Sequence, residues 1–143
     1  MNKLFSTSPI IPKEALAVFR IIIGIFLIYH GREVFDRARI EEYSKWDVIQ
    51  KMSYPLFMSY LGKGMELITG IFIALGLLTR LASLSMAITM LFITFKIGLG
   101  KFYEEDQHPF LFALIGIVFF FIGPVKWSID QLIFGAKSKI KNY

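Results

Sequence analysis

Four apolar segments dominate this chain and restrict what it can fold into more than any motif does. They cover residues 12–31, 55–78, 80–99 and 109–124. As helices they would be roughly 20 to 35 Å long, which suits a hydrocarbon core of about 30 Å, although the fourth is the shortest. Because lipid offers backbone groups no water to bond, such segments cross a membrane as helices. We therefore predict an all-α fold, a polytopic membrane four-helix bundle.

The composition supports this prediction and excludes several classes of function. Of the 143 residues, 55% are apolar and 19% are charged, whereas soluble domains carry roughly a quarter charged residues. The lack of cysteine excludes disulfides, thiol catalysis and cysteine-bound metals. In a membrane protein the net charge of +5 indicates cytoplasmic loops that face anionic lipid, so no nucleic-acid partner is expected. Without linkers or repeats, residues 1–143 are predicted to form a single domain in the lipid bilayer.

The polar insertion at residues 32–54 is the longest break in the apolar pattern. It mixes basic and acidic residues with Tyr43, Trp46 and Tyr54. Aromatic side chains suit the headgroup level of a bilayer, so we expect an ordered amphipathic cap on the membrane surface. Four helices would place both termini on one side. That side carries dense basic charge with few acidic residues, and the positive-inside rule then predicts cytoplasmic termini.

Two charged side chains stand inside apolar segments and need polar partners. Arg20 would lie about 12 Å from the cytoplasmic face, and Glu66 about 18 Å from the same face. Since a charge at the helix centre costs roughly 2.5 to 3.5 kcal/mol on insertion scales, we predict that they form a buried polar pair. The pair is either structural or part of a quinone, proton or ligand site. Gly24, Gly62 and Gly70, each four residues from one of these charges, are predicted packing glycines.

A second polar cluster is expected at the face opposite the termini. His30 ends the first segment, Lys96 lies near the end of the third, and His108 precedes the fourth. The acidic run at residues 104–106 lacks metal-ligand spacing, so we predict no metal site. We expect Lys96 to extend to the membrane interface and the two histidines to lie in a polar vestibule; a proton-coupled redox role for either histidine is the alternative. Trp127 is a predicted interface anchor.

Three stretches resemble the DoxX family in the order that the family has them. They read FRIIIG…YHG at residues 19–31, MELITG…GLLTRLA at residues 65–82 and GPVKWSID at residues 123–130. The resemblance covers all four helices. The family is named for relatives of the membrane subunits of an archaeal thiosulfate:quinone oxidoreductase, and some bacterial members are linked to oxidative-stress complexes. Val34 stands where many members have a lysine, so no role of that lysine is carried over.

The resemblance implies a redox-associated protein of the bacterial cytoplasmic (inner) membrane. Such a subunit would bind quinone or anchor a soluble or membrane oxidoreductase. The alternative is a non-catalytic membrane scaffold or assembly factor, and a homo-oligomer is compatible with both. The sequence contains no phosphate-binding loop, Ser/His/Asp triad or haem-ligand pair, so we do not expect a self-contained enzyme.

Overall fold

The computed structural model describes residues 12–140, with side chains described up to residue 135. Within this part of the chain the protein is all-helical and contains no strand, which confirms the predicted fold class. A 3-10 turn, Arg32–Phe35, follows the first helix, and a π-helical turn, Ile93–Ile97, extends the fifth. The α-helices are α1 (Lys13–Gly31), α2 (Arg37–Tyr43), α3 (Asp47–Gln50), α4 (Pro55–Leu75), α5 (Thr79–Phe92), α6 (Gln107–Ile122) and α7 (Ile129–Ile140).

Three helical stretches are long and apolar enough to cross a membrane. They cover Lys13–Phe35, Pro55–Leu75 and Thr79–Ile97, and the shorter helix α6 is also apolar. Many large apolar side chains point outward, for example Ile25 at 53% exposed. On a soluble protein that much exposed apolar surface would be unfavourable, whereas in a bilayer it faces lipid. The chain is therefore a membrane protein.

Close packing of α1 against α4 forms one half of the bundle. The two helices run antiparallel, with Gly24 against Ala74 and Gly70 against Ile28. A Cβ atom at Gly24 would lie 2.5 Å from the Ala74 nitrogen, and one at Gly70 would lie 2.7 Å from the Ile28 nitrogen. Both glycines therefore occupy contacts where no larger side chain fits. Gly62 differs from the expectation, because no described residue lies within 4 Å of its Cβ position.

Helices α5 and α6 form the other half. A Cβ atom at Gly116 of α6 would lie 2.8 Å from the Ser83 carbonyl oxygen of α5, so these helices also approach closely. The core lies between the two halves, where apolar side chains from all four long helices meet. Its buried members include Ile23, Leu27, Ile73, Met86, Met90 and Phe112.

The polar insertion forms an ordered helical cap across one end of α4. Asp36 begins α2 by accepting hydrogen bonds from the backbone N–H groups of Ala38 and Arg39, at 3.1 and 3.2 Å. Ile40 of α2 and Ile49 of α3 are buried, at 0% and 4% exposed. The cap thus turns apolar residues toward the bundle and holds its aromatic residues beside α4.

Helix α4 ends three residues earlier than the sequence pattern predicted. Gly76 adopts a φ of +65°, and its N–H group donates to the carbonyl oxygens of Ile73 and Phe72. A glycine in this left-handed conformation terminates a helix at little steric cost. Only the turn at residues 76–78 then separates α4 from α5, which begins at Thr79.

Candidate functional site

Arg20 and Glu66 are both buried, but the structure places them in different polar clusters. Arg20 is 0% exposed and Glu66 is 6% exposed. Among the described residues, the ion-pair partner of Glu66 is Lys63, and the hydrogen bonds of Arg20 go to backbone carbonyl groups. The predicted pair between the first and second apolar segments therefore does not form.

The helix register explains why the two charges do not meet. Gly24 of α1 packs against Ala74 of α4, and the helices are antiparallel. Arg20 lies four residues before Gly24, beyond the end of α4, whereas Glu66 lies eight residues before Ala74. Because the helices are antiparallel, the two offsets point in opposite directions, and Arg20 and Glu66 lie about 18 Å apart along the bundle axis. The predicted depths assumed that the start of the first segment lies level with the end of the second. In the structure the start of α1 instead extends about two helical turns beyond residue 78, the predicted end of the second segment.

The Arg20 cluster ties α1 to the α4–α5 turn and to the segment after α6. Arg20 Nη2 donates to the carbonyl oxygen of Trp127 at 2.8 Å and to that of Ala74 at 3.5 Å. Its Nε and Nη1 atoms have no hydrogen-bond partner within the described part of the chain. A Cβ atom at Gly76 would collide with Nη1, so this glycine also makes room for the guanidinium group.

Asp130 forms three further hydrogen bonds at the same end of the bundle. Its carboxylate accepts hydrogen bonds from the N–H groups of Leu78 and Thr79 and from the Thr79 hydroxyl, each at 2.7 Å. Asp130 therefore caps α5 from a distant part of the sequence. Trp127 contributes its backbone carbonyl group to this cluster, and the residue as a whole is 62% exposed. Its role as an interface anchor stays a prediction.

The Glu66 cluster holds one ammonium group between two carboxylates. Lys63 Nζ lies 3.0 Å from Glu66 Oε2 and 3.0 Å from Glu33 Oε2. The Tyr43 hydroxyl donates to Glu33 Oε2 at 2.8 Å. Burial raises the pKa of Tyr43, and its hydrogen bond to Glu33 raises that pKa further, so the phenol stays a neutral donor. Arg39 of the cap adds a second cation to the cluster, since its Nη1 atom lies 3.5 Å from Glu33 Oε1.

Lys63, Glu33 and Tyr43 were not among the predicted site residues. The spacing of Lys63 and Glu66, three residues apart on one helix, is a signal that could have identified Lys63. Glu33 and Tyr43 lie in the polar insertion, and no sequence spacing places them beside α4.

Two small cavities share the wall that Lys63 and Glu66 form. The first, the cap cavity, measures about 160 Å³ and lies between the cap and α4, with Tyr43 and Trp46 among its lining residues. The second, the histidine cavity, measures about 150 Å³. Ile93 of the π-helical turn also borders both. Glu66 is thus accessible from a mainly apolar space on one side and from a histidine-lined space on the other.

The histidine cavity brings together the two histidines of the predicted outer-face cluster. The rings of His30 and His108 have their centroids 4.9 Å apart, and both side chains line this cavity with Lys63 and Glu66. Lys96 does not line it and is exposed on the π-helical turn. The predicted polar cluster therefore contains Lys63 and Glu66 in place of Lys96. Within the described residues, no group of three or more histidine, aspartate or glutamate side chains is arranged to hold a metal ion.

Comparisons with known proteins place the chain in a family. It is 26% identical over 139 residues to the protein named "Putative oxidoreductase CatD" of Bacillus subtilis (strain 168), covering 96% of this chain and 95% of that relative. No solved structure matches it. The DoxX family model matches residues 15–99, which contain both polar clusters except Asp130, Trp127 and His108. The chain belongs to the DoxX family.

Proposed function

We propose that this chain is a redox-associated membrane subunit that binds the headgroup of a quinone in the cap cavity. A quinone ring is apolar and carries carbonyl oxygens that accept hydrogen bonds. The cap cavity combines aromatic and aliphatic walls with the Lys63 ammonium group. Apolar walls with a few placed polar groups are typical of small-molecule sites. The position of Lys63 on the wall of this cavity is the observation that carries the proposal.

The volume of the cap cavity limits which part of a quinone it would hold. Sites for drug-sized ligands measure about 300 to 1,000 Å³, whereas this cavity measures about 160 Å³. A headgroup fits that space and a long isoprenoid tail does not. The tail would therefore leave the cavity for the surrounding lipid.

Within this site the chain's own side chains would bind and orient the ring. Lys63 would donate a hydrogen bond to a ring carbonyl, and Glu33 and Glu66 hold its ammonium group in place. Tyr43 in turn fixes Glu33. When bound, the quinone would supply the redox chemistry, and an oxidoreductase partner at the membrane would exchange electrons with it. The name of the Bacillus relative supports such a redox role.

We further propose that the protein lies in the bacterial cytoplasmic membrane with α6 as its fourth span and both termini in the cytoplasm. Basic residues flank the termini, as the positive-inside rule requires. In this orientation the cap and both cavities lie at the outer face. The Arg20 cluster then lies near the cytoplasmic face.

Tryptophan fluorescence tests quinone binding directly. The chain has two tryptophans, and Trp46 lines the cap cavity whereas Trp127 lies at the other end of the bundle. In a Trp127→Phe variant in lipid nanodiscs, ubiquinone-1 should quench the remaining Trp46 fluorescence saturably. In the matched Trp46→Phe variant, the remaining Trp127 should show only the linear quenching of a quinone dissolved in lipid.

The same experiment distinguishes quinone binding from the second candidate function. A non-catalytic scaffold or assembly factor has no quinone site, so neither variant would show saturable quenching. In that case a stable partner protein that co-purifies in mild detergent, without quinone in the lipid extract, would support the scaffold function.

A further inference from the structure

The histidine cavity has no role in the binding of a ring on the other side of the Lys63–Glu66 wall. We propose that His108 and His30 relay protons from the outer face to Glu66, and that Glu66 is a proton-loading group for the ligand of the cap cavity. The relay needs only the protein's own side chains, whereas the use of its proton rests on the proposed quinone site.

The three groups form a path from the surface to the interior. His108 is exposed at the second residue of α6, His30 is half-buried near the end of α1, and Glu66 is buried in α4. The imidazole centroids are 4.9 Å apart, and all three side chains line one cavity. Its volume of about 150 Å³ is well above the ~10–15 Å³ that one water molecule needs. Water can therefore bridge the imidazoles to the carboxylate.

Imidazole and carboxylate are suited to this transfer. A neutral imidazole has one nitrogen that accepts a proton and one that donates, so it can take a proton on one side and release it on the other. In the last transfer an N–H bond of imidazolium breaks, an O–H bond of Glu66 forms, and the imidazole becomes neutral. No electrons leave or enter the protein in this step.

The bridging position of Lys63 makes Glu66 the member of the cluster that can be protonated. Lys63 lies 3.0 Å from both Glu66 and Glu33. Glu33 has a second cationic partner, because Arg39 Nη1 lies 3.5 Å from its Oε1, whereas the ion-pair partner of Glu66 within the described residues is Lys63 alone. When Glu66 takes a proton, both ion pairs of Glu33 therefore remain. An ionised carboxylate is costly in a low-dielectric interior, so the carboxyl group with fewer cationic partners is the one that can take a proton.

The charged and titratable groups around Glu66 come from several parts of the bundle and its cap. Lys63 faces it from its own helix, and Glu33 faces it across Lys63 from the 3-10 turn. Tyr43 and Arg39 of α2 both contact Glu33 and not Glu66. The histidines face it from α1 and α6. The side chains that α5 and the π-helical turn add to the histidine cavity are apolar. The proton supply therefore comes from the histidine side, while the other side of Glu66 borders the cap cavity.

A proton-jump experiment tests the relay. In nanodiscs, light-triggered release of a caged proton should be followed by growth of an infrared band from the protonated Glu66 carboxyl, identified by its loss in Glu66→Gln. The variant His30→Gln/His108→Gln contains no histidine, since the chain has two. We expect its band to grow at least tenfold more slowly, with saturable quenching of Trp46 by ubiquinone-1 unchanged. A wild-type rate in this variant would overturn the relay.

Chemical rescue separates a relay from a structural effect of the substitutions. Exposed His108 can be replaced without unpacking the core, so His108→Ala should be slow and free imidazole in the buffer should restore its rate. Slow protonation without rescue would contradict a role for the His108 ring in proton transfer. A normal histidine-dependent rate without any saturable quenching of Trp46 would instead leave the relay standing and reject the quinone site.

Discussion

At the scale of single residues, Arg20 and Glu66 are both buried and belong to separate polar clusters. The sequence predicted that Arg20 and Glu66 are buried in polar surroundings, because an isolated charge in a membrane segment is costly. It did not predict their partners. Lys63 was recognisable from its spacing to Glu66 along one helix, but Glu33 and Trp127 come from distant parts of the chain. Their contacts depend on the register of α1 against α4, which apolar periodicity does not determine.

Separate clusters predict that Arg20 and Glu66 act independently on stability. Arg20→Met removes the donor to the Trp127 and Ala74 carbonyls, and Glu66→Gln removes a partner of Lys63. Each change should destabilise the protein, by ~3 kcal/mol for the fully buried arginine. The double variant should lose the sum of both effects within about 0.5 kcal/mol, as expected for sites that share no partner. Unfolding in detergent measures this, and strong coupling would contradict the register described above.

At the scale of helices, the apolar pattern predicted which segments are helical but not how each helix ends or packs. Gly76 ends α4 because it adopts a left-handed conformation beside the Arg20 guanidinium group. Gly24, Gly62 and Gly70 had the same spacing to a charge, yet Gly24 and Gly70 contact a neighbouring helix and Gly62 borders the cap cavity. Spacing within one helix cannot show which of its faces meets another helix.

The surroundings of two glycines in α4, Gly70 and Gly64, predict different effects of the same glycine-to-leucine substitution. Gly70→Leu forces a side chain against the Ile28 backbone and the Gly24 carbonyl oxygen, so it should destabilise the bundle by ~3 kcal/mol or more. No described residue lies within 4 Å of a Cβ at Gly64, and Gly64→Leu should be neutral or stabilising because leucine favours helix. Thermal unfolding in one detergent compares the two. Equal losses would show that α1 and α4 do not pack as described.

For the whole molecule, the two polar clusters lie at opposite ends of the α1–α4 pair. The Arg20 cluster joins the α4–α5 turn to the segment after α6, and the Glu66 cluster joins the cap to the bundle. The first cluster has no role in the proposed chemistry and holds the helices together. The second borders both cavities and carries the proposed function.

The orientation of these two ends is testable because the chain has no cysteine of its own. Lys45 is exposed in the cap and Gln131 is exposed in α7. Lys45→Cys should react with an impermeant thiol reagent added to intact cells, and Gln131→Cys should react only after the membrane is opened. The reverse pattern would invert the orientation. Labelling of both from outside would contradict an even number of membrane spans.

The affinity for quinone in two matched glycine variants tests the central claim most directly. Gly62 and Gly64 are two residues apart on α4, and no described residue lies within 4 Å of either Cβ position, but only Gly62 lines the cap cavity. In the Trp127→Phe background, Gly62→Leu fills this cavity without changing any charge. It should weaken saturable quenching of Trp46 by ubiquinone-1 at least tenfold, while Gly64→Leu should bind like the parent. Equal affinities in the two variants would contradict a quinone site in the cap cavity.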